Sequence, residues 1–122
     1  MLGPLIENTA IVNLDYRDIR SIEQLVSWAE EAFSLPAEAR GEANIDRFTD
    51  RLYHHIGRGS TGYTVVEHHV AFRSPALDAV IAAPDKGWKT ALVSGVAHDY
   101  GLHLTFALAP QESRRRKWWR PW

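Results

Sequence analysis

Gly57-Arg-Gly-Ser-Thr-Gly62, running on into Tyr63-Thr-Val-Val-Glu-His-His-Val70, spells G-x-G-x-x-G letter for letter, and what flanks it decides the fold. In a dinucleotide-binding unit a strand precedes this fingerprint and a helix follows, so that phosphate meets a helix N-terminus. Here the order is reversed. Upstream, Ile45, Phe48, Leu52 and Ile56 recur at helical spacing behind Asn44, a good N-cap residue. Downstream, residues 63–70 are rich in β-branched side chains and read as a strand. The glycines then read as a flexible helix-to-strand loop, and nucleotide binding is dropped.

Working outward, Ala10-Ile-Val-Asn-Leu14 is a short apolar run closed by the turn-like Asp15-Tyr-Arg-Asp18, a first buried strand. Ser21-Ile-Glu-Gln24 is a capping box, in which the serine accepts from the Gln24 amide while Gln24 reaches back. Behind it Ile22, Leu25, Val26, Ala29, Ala32 and Phe33 keep helical spacing until Leu35-Pro36. Ser74-Pro75 opens another helix to about residue 83, and Pro84-Asp-Lys-Gly87 breaks it. A last helix runs from Trp88 to about Asp99 with Gly101 as its cap, and residues 102–108 alternate as a third strand. Strands separated by crossover-length helical segments predict an α/β fold, a small three-stranded parallel sheet with helices packed on it.

The 122 residues suit one domain, taken as 1–110, with a separate tail, 111–122. No cysteine is present, so disulfides and thiolate metal sites are excluded and a reducing, cytoplasmic compartment is expected. MLGPLIENTAIV lacks a signal peptide's basic start and long apolar run, and no stretch is long enough to span a bilayer. Five of the fourteen basic residues fall in the last nine positions, leaving residues 1–113 with nine basic against fifteen acidic side chains, a net −6. An acidic body suits a cationic partner and speaks against nucleic acid.

Catalytic and metal chemistry find no foothold. His54-His55 and His68-His69 are adjacent pairs whose rings diverge on a helix and point to opposite faces of a strand. No H-E-x-x-H spacing exists, and His98-Asp99 has no visible companions for a metal. With no cysteine and no serine in a nucleophile elbow, the expectation is a protein that is not an enzyme and carries no metal or cofactor. The tail Arg114-Arg-Arg-Lys-Trp-Trp-Arg-Pro-Trp122 mixes cations with indoles. It reads either as a surface for RNA or anionic lipid, or as an extension that is solvated or folded back on the acidic body. No membrane partner is expected, and nucleic acid only through this tail.

Gly41-Glu-Ala-Asn-Ile-Asp-Arg-Phe-Thr-Asp-Arg-Leu52 holds the remaining signal. Asp46 and Asp50 stand one above the other on the helix, where like charges repel slightly. With Tyr53 they form a stripe beside the buried face. The N-terminal dipole accounts for Asp46, whereas Asp50 is more than a turn in and has only Arg47 as a cationic partner at favourable spacing within the helix. Spacing alone leaves two readings, a solvated face or an acidic docking stripe.

At these residues the chain resembles the barstar family of intracellular ribonuclease inhibitors. The similarity covers most of residues 10–108. It is sharpest from Ile19-Arg-Ser-Ile22 through Leu35-Pro36 to a Gly-Glu-Asn-hydrophobic-Asp-x-x-x-Asp motif, here Gly41, Glu42, Asn44, Ile45, Asp46 and Asp50. The resemblance implies that this helix and its preceding loop enter a ribonuclease active site, with the aspartates where RNA phosphates would lie. Such a site concentrates cations around the scissile phosphate, and clustered carboxylates meet that field. The implied partner-binding set is Ala39, Arg40, Gly41, Glu42, Asn44, Asp46, Thr49, Asp50 and Tyr53. The chain departs from the family pattern where Ala43 is inserted in the motif, Ala39 and Arg40 replace loop aromatics, Thr49 replaces a helix tryptophan and Val96 stands in place of a glutamate.

The expected function is that of a cytoplasmic inhibitor or immunity protein (an antitoxin) blocking a cognate ribonuclease toxin whose active site is cationic. The alternatives are an interaction module with a non-nuclease partner, or nucleic-acid binding through the tail.

Overall fold

The computed structural model describes residues 9–82 and 87–110. Three strands and four helices follow one another as β1 (Thr9–Asp15), α1 (Ile22–Ala32), α2 (Ile45–Gly59), β2 (Gly62–His68), α3 (Pro75–Ala82), α4 (Trp88–Tyr100) and β3 (Leu104–Leu108). The strands lie in the order β1-β2-β3, and both pairings are parallel. The fold is therefore α/β, a three-stranded parallel sheet with four helices packed against it, as the alternation of elements predicts. Residues 84–86, where a helix break is expected, and the tail 111–122 lie outside the described residues.

One face of the sheet carries the core. Val12 stands beside Val65, and Val65 beside Phe106, while Leu14, Val65 and Leu104 are buried under the helices. The alternate positions point the other way: Ile11 is 68 % exposed, and Asn13 and Thr105 are exposed as well. From the helices, Leu25 and Ala29 (α1), Phe48, Leu52 and Ile56 (α2), Leu77 and Ile81 (α3) and Leu92 and Val96 (α4) complete one apolar cluster.

Local sequence sets the helix ends. The Ser21 hydroxyl accepts from the Gln24 amide at 3.2 Å. Gln24 reaches one residue further back than the capping box predicts, accepting from the Arg20 N–H. Ser74 accepts from the Leu77 N–H at 3.2 Å ahead of Pro75. At the far end of α4, Gly101 takes φ +68°; its N–H donates to Ala97 and that of Leu102 to Val96, a paired closure that spends two otherwise orphaned carbonyls.

Three boundaries differ from expectation, one of them the start of the last strand, which begins at Leu104 and not at 102. The helix before the glycine-rich segment does not stop at Gly57; it runs through Gly59, and the turn is only Ser60 and Thr61, with Ser60 in the left-handed region. Gly57 is buried in the helix, so its small size serves packing and not loop flexibility. The second strand ends at His68 and not Val70, because His69 turns to φ +56° and leads into a 3-10 turn at Val70–Phe72.

Strand alternation also sends one charge inward. Glu67, 4 % exposed, points into the helix-covered face, where Tyr16 Oη donates to it at 2.5 Å and Lys89 Nζ lies 2.9 and 3.0 Å from its two oxygens. A buried carboxylate is tolerable only when its lone pairs are used in this way.

Candidate functional site

Asn44 fixes the start of α2, its side-chain oxygen accepting from the Asp46 and Arg47 amides at 2.9 and 3.0 Å. The entering loop is held from below. Glu30 of α1, only 8 % exposed, accepts from the Gly41 N–H at 2.7 Å, and Gly41 takes φ +84°, a conformation that favours a residue without Cβ. Ala43, the inserted residue, is exposed beyond this anchor.

Two of the cations around the acidic stripe, Arg40 and Arg51, are turned away from it, whereas Arg47 is exposed on α2 between Asp46 and Asp50 and has no ion-pair partner among the described residues. Arg40 donates through Nε to the Leu35 carbonyl at 2.8 Å and pairs through Nη1 with Glu31. Arg51 pairs with Glu42 at 3.2 Å, and Glu42, mostly covered, also accepts from the Asn44 N–H. Asp46 and Asp50 remain on the exposed side of the helix. Among the described residues Asp46 has no ion-pair partner, and Asp50 has only His54, one turn on, with 3.7 Å between His54 Nε2 and the carboxylate. The partner expected for Asp50 was Arg47; the histidine at i+4 stands closer to the stripe.

The nine residues expected to form the partner surface therefore divide. Asp46 and Asp50 offer exposed carboxylates. Asn44 and Gly41 hold the loop and cap in shape, and Arg40 and Glu42 are engaged as described. Ala39 is half-buried in a 3-10 turn, Ala37–Ala39. Thr49 is 7 % exposed, and its hydroxyl donates to the Ile45 carbonyl at 2.7 Å, because its place on the wheel is beside Phe48 on the core side. It presents no polar group outward. Tyr53 is half-buried, and its hydroxyl donates to Asp99 Oδ2 at 3.0 Å on α4.

That bond shows what sequence reasoning missed. α2 and α4 form the most extensive helix–helix contact among the described residues, and two glycines admit two tyrosines there. A Cβ on Gly95 would come within 2.7 Å of the Tyr53 ring, and one on Gly57 would collide with the Tyr100 ring. Tyr100 Oη lies 2.7 Å from His54 Nδ1, and the His54 ring stacks on Tyr53 at 4.2 Å. The packing sets Asp99 beside the α2 stripe as a third acid. His98 Nδ1, 3.3 Å away, and then the Tyr53 hydroxyl hold the Asp99 carboxyl below the ordinary aspartate range, and the same bond raises the Tyr53 phenol. Glycines at 57 and 95 inside helical patterns were the available signal for this close approach. Val96, by contrast, is fully buried and faces the core.

The other histidines are dispersed. His55 Nε2 lies 2.8 Å from the Phe33 carbonyl, His68 Nε2 2.9 Å from Asn13 Oδ1, and His69 Nδ1 3.1 Å from Asp15. Among the described residues no three His, Asp or Glu side chains converge to hold a metal ion, and no helix is long and apolar enough to cross a membrane. Against protein-family models, curated proteins and solved structures alike, the chain finds no match.

Proposed function

We propose that this chain is an inhibitor or immunity protein that blocks a cationic ribonuclease active site with the exposed carboxylates of α2. The observation that carries the reading is the arrangement around Asp46 and Asp50. Both project from one stripe, while Arg40 and Arg51 are tied to Glu31 and Glu42 and leave the stripe's field negative. Asp99 extends that field onto α4. A surface built only to be solvated would leave all its arginines among its aspartates; here Arg40 and Arg51 pair elsewhere, and Arg47 alone stands on the helix beside Asp46 and Asp50.

The mechanism follows from charge and rigidity. A nuclease that stabilises a developing phosphorane does so with fixed cations, and a fixed set of carboxylates at similar spacing occupies the same field. Steering raises the association rate, and charge-assisted hydrogen bonds lower dissociation. Rigidity on the inhibitor's side comes from the Asn44 cap, the Glu30–Gly41 anchor and the glycine–tyrosine packing of α2 on α4, so little ordering entropy is lost on docking. The motif resemblance to the barstar family points the same way. The experiment is capture of partners from native lysate on the full chain, followed by RNA-cleavage assays of what is captured. A basic ribonuclease silenced at one-to-one stoichiometry is the expected result. A partner without nuclease activity favours an interaction module of another kind.

A further inference from the structure

His54 stands within the acidic surface, and several contacts hold its ring there. The imidazole stacks on Tyr53 with ring centroids 4.2 Å apart and meets the Tyr100 ring edge to face at 5.9 Å. Nδ1 lies 2.7 Å from Tyr100 Oη, and Nε2 lies 3.7 Å from the Asp50 carboxylate. Both tyrosines are themselves wedged between α2 and α4, Tyr53 against Gly95 and Tyr100 against Gly57. The ring therefore has little room to swing away. Whatever charge it carries sits at a fixed point beside Asp50 on its own helix.

This clamp suits either protonation state. A tyrosine hydroxyl both donates and accepts, so Tyr100 Oη donates to Nδ1 of a neutral ring and accepts from the N–H of a charged one, with no movement of the ring. The surrounding charged and titratable groups come from two helices. On α2, Asp50 precedes His54 by one turn, while Arg51 and Arg58 stand at i−3 and i+4, Arg51 being tied to Glu42. From α4 come Tyr100, Asp99 and His98, the last 3.3 Å from Asp99. Asp99 feels the His98 bond first, then the Tyr53 hydroxyl, and the His54 charge at longer range. α1 meets α2 elsewhere, where His55 Nε2 reaches the Phe33 carbonyl.

We infer that His54 is a proton-operated gate on the acidic docking surface: neutral, it leaves Asp46, Asp50 and Asp99 to a cationic partner, and protonated, it sets a fixed cation beside them and weakens docking. Histidine is the side chain that ordinarily gains its charge between pH 8 and pH 5. One cation is a large fraction of a field made by three carboxylates, and the clamp keeps it from turning out to solvent. The linkage runs both ways. A partner that brings cations to Asp50 disfavours the imidazolium, so docking expels a proton, and affinity falls as pH falls. The inference rests on reading the stripe as the docking face and adds a condition under which that face is open.

The test uses decalysine with blocked ends as the cationic probe, because its side chains stay charged from about pH 8 down to about pH 5.5. Calorimetric titration of the full chain at both ends of that range compares wild type with two variants that carry no charge at either pH. His54→Gln keeps a hydrogen-bonding group, and His54→Phe keeps the stacked ring. On acidification, wild-type affinity is expected to fall at least about threefold more than that of either variant. His98→Gln is expected to keep that extra fall, and Asp50→Asn to weaken binding at the higher pH. An equal fall in wild type and both His54 variants overturns the inference, as does an extra fall that His98→Gln abolishes. So does an affinity that Asp50→Asn leaves unchanged, for the cations then settle elsewhere. The inhibitor reading fails separately, on a captured partner without nuclease activity.

Discussion

The ring of Tyr100 occupies the space in which a Cβ on Gly57 would have to stand. Gly59, two residues on in the same helix, has nothing within 4 Å of that position. The two glycines are therefore expected to respond oppositely to alanine. Alanine gains about 1 kcal/mol over glycine in a helix, and Gly59→Ala should keep some of it. Gly57→Ala must displace an aromatic ring wedged between helices, an overpacking cost of about 1–3 kcal/mol that exceeds the gain. Urea denaturation of both variants checks this. Equal effects of one sign would mean that the Tyr100 contact does not govern the α2–α4 approach.

The same pair shows how far the sequence could be read. Periodicity and capping residues placed every strand and helix, because those signals are local: Asn44, Ser21, Ser74 and Gly101 each act within a few residues of themselves. The parallel sheet followed from the order of elements. What stayed hidden depends on residues far apart in the chain. Nothing near Gly57 announces Tyr100, nothing near Tyr53 announces Asp99, and Thr49 entered the partner set only through the family resemblance, although Phe48 beside it already read as buried. Of the site, the two aspartates and their cap were legible; the pairing that removes Arg40 and Arg51 from the stripe was not.

Tyr16 links stability to alkaline pH. Burial first, and then its bond to Glu67, push the phenol well above its ordinary value. A tyrosine whose folded pKa lies above the unfolded value near 10 contributes stability that is complete below about pH 10 and is lost as pH rises toward the folded pKa. Unfolding free energy should fall from about pH 10 upward in wild type and fall less in Tyr16→Phe, which starts lower because Glu67 has lost a donor. Parallel curves would remove Tyr16 from the alkaline limb.

Glu30 is expected to hold the loop that leads into α2. Glu30→Ala leaves the Gly41 amide without its buried acceptor, a loss of about 1–3 kcal/mol, and should admit proteolytic cleavage between residues 36 and 44. Glu30→Gln keeps an acceptor in place and should recover most of the protection. If Glu30→Ala resists protease as wild type does, the loop is held by other contacts.

The central claim is tested most directly at Asp50, through binding and melting measured in one buffer on wild type and Asp50→Ala. In the free protein the substitution removes a long contact to His54 and the repulsion from Asp46, and it installs the best helix former, so stability should stay within about 0.5 kcal/mol. Against the captured ribonuclease it strips a desolvated anion from its partners, which costs about 2–5 kcal/mol, or roughly 30- to 4,000-fold in Kd. Wild-type affinity should also fall more steeply with added salt than that of the variant. An Asp50→Ala protein that melts like wild type and binds its ribonuclease far more weakly is the expected result; one that binds as tightly as wild type contradicts the acidic docking stripe.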